Sequence, residues 1–194
     1  MSAMSEKQPD SACEYIIEAF HRLFARHPID KITVNDIVKK AGVSRSTFYL
    51  HFEDKFDLLG RVTRRVLDEL SRFYNSGGSM EDVRSLGSRE WLMRHNAALC
   101  EHVHSHGSFY LRRLRDIEFV VYLSALLKNW MQASLLDESR ATFAAHGTIG
   151  LLREWLENER FRPIDYMARK LTNIAFYLVP DFAEAEAESD EFRT

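Results

Sequence analysis

Apolar residues recur at helical spacing along almost the whole chain. In the first segment, one face of a helix would carry Ala12, Tyr15, Ile16, Ala19, Phe20, Leu23 and Phe24. This spacing of three and four residues predicts an amphipathic helix. The helix should end before Pro28, because the residue before a proline avoids helical backbone angles. No segment alternates apolar and polar residues for long enough to predict a strand, so the pattern predicts an all-α protein.

Two short helices are predicted next. Thr33, followed three residues later by Asp36, is a capping arrangement that starts the first of them. Gly42 ends that helix, since glycine readily adopts the left-handed conformation. Ser44 can cap the second helix, which carries Phe48. Two short helices joined by a glycine-containing turn are typical of the helix-turn-helix of DNA-binding proteins.

A longer fourth helix is predicted from about Asp54 to a turn-like stretch at 75–79, which we interpret as the main boundary. Further helices are predicted over residues 88–106, 108–114, 116–138, 140–158 and 163–179. Residues 181–194 hold six acidic residues, one arginine and little to bury. This last stretch is predicted to be a frayed acidic tail.

Composition narrows the class of protein. Of the 194 residues 45% are apolar and 12% aromatic, which excludes disorder of the whole chain, and 8 Gly and 4 Pro argue against a turn-rich β-sandwich. Cys13 and Cys100 are too few for a secreted disulfide framework. Residues 1–10 contain no apolar signal segment, and polar residues interrupt the most apolar stretch, 117–136. We therefore expect a cytoplasmic protein that does not enter a membrane.

Charge is distributed unevenly. The net charge is −3, yet eight basic and four acidic residues lie between Lys31 and Arg65. Nucleic acid responds to local rather than net charge, so this region has the basic character that a DNA-binding module needs.

No known catalytic motif is present in the sequence, so neither a catalytic residue nor a cofactor is expected. One cluster contains residue types that can bind a metal ion: Cys100, His102, His104 and His106. Its members form pairs four residues apart, a spacing that can chelate a transition metal on a helix. The same spacing fits the lining of a polar pocket or a solvated helix end. The sequence leaves all three open and does not by itself predict a metal site.

The segment from residue 10 to 70 resembles the N-terminal domain of TetR-type transcriptional regulators. The resemblance rests on fixed spacing of Ile32-Thr33-Val34, Ile37, Ala41-Gly42-Val43-Ser44, Thr47-Phe48-Tyr49, Phe52, Lys55 and Leu58-Leu59. It implies a three-helix DNA-binding domain over 10–70, with its helix-turn-helix at 33–52. A long helix would join this domain to a helical effector-binding and dimerisation domain over 80–180. In that second part only a Gly-x-x-Gly-Leu-Leu-x-x-Trp pattern at 147–155 adds to the resemblance.

The resemblance also implies which residues contact DNA. They are Thr33, Ser44, Arg45, Ser46, Thr47, Tyr49, His51 and Lys55. Thr33 and Lys55 would touch phosphates, while Arg45 and its hydroxyl neighbours would face base edges and nearby phosphates. Glu53, a position that is often basic in the family, removes one phosphate contact.

For the second domain the resemblance implies a cavity for a small hydrophobic or aromatic effector. Its expected lining is Trp91, His95, His102, Phe109, Phe119, Tyr122 and Trp130. Residues 117–131 leave almost no polar face, which predicts a helix buried among others. A plain packed core is the alternative for each of these residues.

The resemblance also implies that the last two helices form a homodimer interface. Its expected members are Gly147, Gly150, Leu151, Trp155, Leu171, Ile174 and Leu178. Packing within one chain is the alternative. With the resemblance, the leading hypothesis is a homodimeric repressor that an effector releases from a palindromic operator in double-stranded DNA. A DNA-bound adaptor that binds a protein partner and a metal-responsive regulator are the alternatives.

Overall fold

The computed structural model describes residues 11–76, 88–134, 137–158 and 162–178, and it shows helices and turns without a strand in these ranges. The helices are α1 (Ser11–Phe24), α2 (Val34–Ala41), α3 (Arg45–His51), α4 (Lys55–Ser76), α5 (Ser88–Ser105), α6 (Gly107–Arg113), α7 (Ile117–Ser134), α8 (Glu138–Asn158) and α9 (Ile164–Leu178). A short 3₁₀ turn, Ile29–Lys31, lies between α1 and α2. The predicted all-α class is confirmed.

The chain divides into an N-terminal unit, Met1–Asp68, and a C-terminal unit, Glu69–Thr194. Helix α4 begins in the first unit and ends in the second. It continues through Ser76, two residues into the predicted turn at 75–79. The rest of that turn and the predicted tail at 181–194 lie outside the described residues.

The first three helices of the N-terminal unit pack together around aromatic and aliphatic side chains. The buried apolar residues of this unit are Ile16, Ala19, Phe20, Phe24, Ile32, Ile37, Val38, Phe48, Phe52, Leu58, Leu59, Val62, Val66 and Leu67. The rings of Phe48 and Phe52 lie 5.6 Å apart between their centroids, so the inner side of α3 is part of this core. Ile37, Phe48 and Phe52 thus form a core shared by α2 and α3, and Val43 in the turn between these helices is partly buried.

In the C-terminal unit α5 packs against α9, and α7 packs against α8. Between α5 and α9 the Asn96 amide donates to Oγ1 of Thr172 over 3.1 Å. Trp155 is fully buried, and its indole N–H donates to the carbonyl of Arg162 over 3.3 Å. Cys100 is also buried, and burial raises the pKa of its thiol to about 12.

One expectation about α7 is wrong. The sequence predicts a helix buried on all sides, but Ile117, Val121 and Tyr122 are exposed, the last two by 59% and 58%. An apolar residue is equally suited to a core and to a surface that another molecule covers, so composition could not separate the two.

Among the described helices, none combines the length and the apolar character that a membrane-spanning segment needs.

Candidate nucleic-acid interface

The start of α2 is fixed by a reciprocal cap. The backbone N–H of Asp36 donates to Oγ1 of Thr33 over 3.2 Å, and the backbone N–H of Thr33 donates to the Asp36 carboxylate over 2.9 Å. The Thr33 hydroxyl also donates to that carboxylate over 2.6 Å. These bonds favour the ionised form and hold the pKa of Asp36 below its usual value. The predicted cap is present, and the Thr33 side chain is exposed beside it.

The turn between α2 and α3 depends on one glycine. Gly42 has φ 71° and ψ 26°, the left-handed conformation that favours glycine, and its N–H donates to the carbonyl of Val38. Ser44 then caps α3, because its Oγ accepts from the backbone N–H of Thr47 over 3.0 Å. The turn therefore fixes where α3 begins.

Hydroxyl groups cluster at the beginning of α3. Oγ of Ser44 lies 2.7 Å from Oγ of Ser46 and 2.8 Å from Oγ1 of Thr47. Ser44 and Ser46 are exposed, and Thr47 is partly buried. Small hydroxyls of this kind can donate to phosphates and base edges in a major groove.

Arg45 is held in place on the outer side of α3. Its guanidinium donates to Oδ1 of Asn35 over 3.0 Å and to the Tyr49 hydroxyl over 3.4 Å. Arg45 and Tyr49 are both exposed, whereas Phe48 between them is fully buried. Ser44, Arg45, Ser46 and Tyr49 thus form one exposed surface, which we call the polar face of α3. An arginine fork presented on a short helix suits guanine recognition.

One residue of this surface lies outside the expected set, and one expected residue is less exposed than its neighbours. Asn35, which orients Arg45 from α2, was not among the predicted residues, because the sequence gives no signal for a contact between positions ten apart on different helices. His51 lies at the end of α3 and is only partly exposed, with its ring centroid 6.2 Å from that of Phe52.

The contacts of the Lys55 ammonium differ from the phosphate contact that was expected. Its ammonium donates to the carbonyls of Ile29 and Ile32 over 3.0 and 2.9 Å, and the carbonyl of Asp30 lies 3.5 Å away. The Lys55 donors are therefore directed to the 3₁₀ turn before α2 instead of outward to a phosphate. We assign Lys55 a structural role in the N-terminal unit.

Replacing Lys55 by methionine should lower the free energy of unfolding by about 1.5 kcal/mol, because two carbonyls lose a charged donor. Chemical denaturation measures this change. Lys40→Met, which removes the same charge from an exposed position on α2, is the matched control. The salt dependence of DNA binding should not change in Lys55→Met. Unchanged stability with a salt slope shallower by about one would instead support the phosphate role.

The expected effector residues fall into three groups in the C-terminal unit. Trp91, His102, Phe109 and Phe119 are buried, and His95 and Trp130 are partly buried. The rings of Phe109 and Phe119 pack edge to face with centroids 5.8 Å apart. Tyr122 is exposed on α7, in contrast to the buried aromatic residues of the same set.

The residues expected at the dimer interface also differ in exposure. Gly147, Gly150 and Ile174 are exposed, and Leu151 and Leu178 are partly exposed. Trp155 and Leu171 are buried inside the protomer, where no partner chain can reach them, so they are removed from the expected interface. Phe143 and Tyr177, which were not predicted, add large exposed apolar surfaces on α8 and α9.

The cysteine and histidine cluster does not act as one group. Cys100 is buried, while His104 is exposed with its ring beside that of Trp155. His102 and His106 do converge, and Glu69 of α4 lies with them. Burial lowers the pKa of His102 to about 4, with a smaller contribution from His106 in the same direction. Glu69 is far from the histidines in sequence, so spacing could not have found it.

A family model described as "Bacterial regulatory proteins, tetR family" matches residues 16–62. A curated regulator of the helix-turn-helix type from Bacillus subtilis (strain 168), YxbF, is 30% identical over 102 residues, which is 53% of this chain and 26% of that protein. A regulator of the same type from Staphylococcus aureus (strain USA300) is 42% identical over 53 residues, 27% of this chain and 29% of that protein. The chain thus spans between a quarter and a third of the length of these curated relatives.

Solved structures share the fold over most of the chain. A TetR-like transcriptional regulator from Rhodococcus sp. RHA1 has a TM-score of 0.65 at 18% identity, covering 85% of this chain and 93% of that one. The transcriptional regulator FadR from Bacillus subtilis, solved in complex with stearoyl-CoA, has a TM-score of 0.59 at 20% identity and covers 86% and 97%. At these identities the likeness establishes the fold.

Proposed function

We propose that this chain, a TetR-family regulator whose residues 16–62 match the family model, binds a palindromic operator as a homodimeric repressor. The observation that carries the proposal is the polar face of α3. There Arg45 and three hydroxyl side chains are exposed, while Phe48 anchors the same helix in the core. This arrangement can read base edges from a firmly held helix.

A second copy of the chain is needed for specificity. Helix α3 has seven residues and can reach only a few base pairs. Two copies related by two-fold symmetry would read two half-sites about 34–36 Å apart, or a multiple of that distance. Exposed apolar positions on α8 and α9 support such pairing, with Phe143 68% and Tyr177 82% exposed. Gly147 and Gly150 on α8 permit close approach of a second helix.

Replacing Gly150 by arginine should convert the dimer to a monomer. A Cβ atom added at Gly150 meets nothing within 4 Å in the protomer, and the position is exposed, so the fold can accept a side chain there, whereas a helix packed closely against α8 cannot. Sedimentation should then give the 22.6 kDa of one chain instead of twice that mass.

Gly60→Arg is the matched control for this experiment, since Gly60 also lies in a helix with nothing within 4 Å of the added atom. A dimer that persists in Gly150→Arg at the wild-type dissociation constant would place the interface elsewhere.

The proposal includes release from DNA by a small apolar effector in the C-terminal unit. Its support is Trp91, which is buried and whose indole N–H has no hydrogen-bond partner in the described part of the chain. The ring of His95 lies against it, with centroids 3.9 Å apart. A buried donor without an acceptor is costly, and an effector oxygen would satisfy it. The stearoyl-CoA bound by the similar FadR structure is a precedent for a long apolar effector.

An effector can release DNA only by its differential affinity for the two states of the protein. It must bind the form that does not bind the operator more tightly than the form that does. Helix α4 belongs to both units of the chain and is the segment through which such a preference would act.

An adaptor function is the second candidate, and the exposed apolar residues of α7 favour it. Ile117, Val121 and Tyr122 could bind a protein partner without any small ligand. Under that function, DNA binding would be unaffected by acyl-CoA or other apolar ligands.

The experiment that tests the proposed function is selection of bound DNA from a random library at two salt concentrations. An enriched palindrome, bound more weakly at the higher salt, is the expected result. Binding that depends on salt without any enriched sequence would contradict operator recognition and favour the adaptor function.

A further inference from the structure

We propose that Glu69, His102 and His106 bind one divalent transition-metal ion, with Zn²⁺ as the representative. These residues each offer one ligand atom, and the three atoms lie within 4.8 Å of one another. The site goes beyond operator binding and does not depend on it. Its residues come from α4, the end of α5 and the residue that precedes α6.

The two histidines are presented by one continuous helical turn. His106 follows the last residue of α5, and its backbone N–H donates to the carbonyl of His102 over 3.1 Å. This bond keeps the spacing of four residues helical, so both imidazoles project from the same side with ring centroids 4.7 Å apart. The N–H of Phe109 donates to the carbonyl of His106 over 2.9 Å, which fixes His106 from the α6 side as well.

Glu69 completes the group from α4. One of its carboxylate oxygens lies 3.1 Å from Nε2 of His106. Ligand atoms of a tetrahedral Zn²⁺ ion are about 3.3 Å apart, since each metal–ligand bond is about 2.0–2.1 Å long. The separation between Glu69 and His106 is thus already close to that value, and the His102 ligand atom, within 4.8 Å of both, would move closer when an ion binds.

The surroundings suit a held ion. His102 is buried, and its Nε2 lies 3.1 Å from the Tyr110 hydroxyl, a contact that can orient the ring while Nδ1 serves as the ligand atom. Glu69 and His106 are only partly buried, so an ion can enter from solvent. Metal ligands need this combination of fixed direction and access.

The donor set selects the class of metal. Two imidazole nitrogens and one carboxylate oxygen suit Zn²⁺, Co²⁺ or Ni²⁺, whereas Mg²⁺ and Ca²⁺ prefer oxygen ligands alone. Three protein ligands leave a fourth position for water. An ion in this site would connect three helical segments of the C-terminal unit and stabilise the folded chain, since the unfolded chain does not hold these ligands together.

The test uses the full chain, stripped of metal with a chelator and titrated with Zn²⁺ and with Co²⁺. We expect one equivalent of Zn²⁺ per chain, a Tm that rises with bound Zn²⁺, and the visible absorption of four-coordinate Co²⁺. His106→Gln and Glu69→Gln each remove one ligand from a partly exposed position, so they spare the core. Both should weaken Zn²⁺ binding at least tenfold.

His104→Gln and Glu101→Gln are the matched controls, because both residues are exposed on α5 outside the group. They should bind Zn²⁺ as the wild type does. Failure of the wild-type chain to bind one equivalent would overturn the proposal. Equal Zn²⁺ affinity in the wild type, His106→Gln and Glu69→Gln would overturn it as well. The stoichiometry and the affinity both report Zn²⁺ binding directly. Their result is therefore separate from that of the operator selection.

Discussion

Replacing Phe48 by alanine is expected to lower the free energy of unfolding of the N-terminal unit by about 3–5 kcal/mol. Phe48 has no exposed surface, and its ring packs against Phe52 and edge-on against Tyr49, with centroids 5.6 and 5.4 Å apart. The alanine variant would leave a cavity beneath α3, and the polar face on the other side of the helix would lose its support. Denaturant unfolding, followed by the helical circular dichroism signal, measures the loss.

Phe56→Ala is the matched control for Phe48→Ala, because Phe56 is in the same unit but 54% exposed. It should change the unfolding free energy by less than about 1 kcal/mol, as is usual for surface substitutions. Equal effects of the two substitutions would mean that Phe48 is not the anchor of α3.

Replacing Arg45 by alanine is expected to weaken specific operator binding by about 1–3 kcal/mol, roughly 5- to 150-fold in Kd. The guanidinium is exposed, and Asn35 and Tyr49 hold it on the polar face of α3. Its loss should relax selection at one position of each half-site, since a bidentate arginine contact reads a single base. Binding isotherms with the selected operator and with single-base variants measure both effects.

Arg22→Ala is the control for charge, because Arg22 is exposed on α1 and pairs with Glu18 four residues earlier. It removes the same charge from the same unit, so it separates a general electrostatic effect from the loss of a base contact. Arg45→Lys keeps the charge and loses the fork, and it should recover phosphate attraction without the base preference. A folded Arg45→Ala chain that binds and discriminates operators as the wild type does would refute the assignment of α3 as the recognition helix.

Local features of the N-terminal unit could be predicted from the sequence. The caps at Thr33 and Ser44 and the left-handed turn at Gly42 depend on residues within three or four positions, so their signals are contained in short segments. For the helices of the C-terminal unit, each predicted bound lies within four residues of the observed one.

Contacts between distant positions could not be predicted. The role of Lys55 depends on carbonyls 23 and 26 residues earlier, which the fold brings to its ammonium. Asn35 reaches Arg45 only because α2 and α3 pack together, and Glu69 joins His106 across 37 residues. Each of these residue types occurs in many environments. Which environment it has in this chain is decided by how the helices pack together.

The exposure of apolar residues in the C-terminal unit could not be predicted from the sequence either. Trp155 and Tyr122 are both aromatic residues within helical apolar patterns, yet Trp155 is fully buried and Tyr122 is exposed. Hydrophobicity reports that a side chain favours removal from water, but it does not say whether its own chain or another molecule removes it.

The hydrogen bonds on the polar face of α3 have a kinetic consequence. On this face Ser44 is already bonded to Ser46 and Arg45 to Asn35, and Ser44 is also bonded to the neighbouring Thr47. Little side-chain ordering then remains for the moment of contact, so the face can arrive at the duplex in its final geometry. Encounter rates with correct and incorrect sequences should consequently be similar, and the two should differ in residence time. A regulator of this kind would select its DNA site by how slowly it leaves.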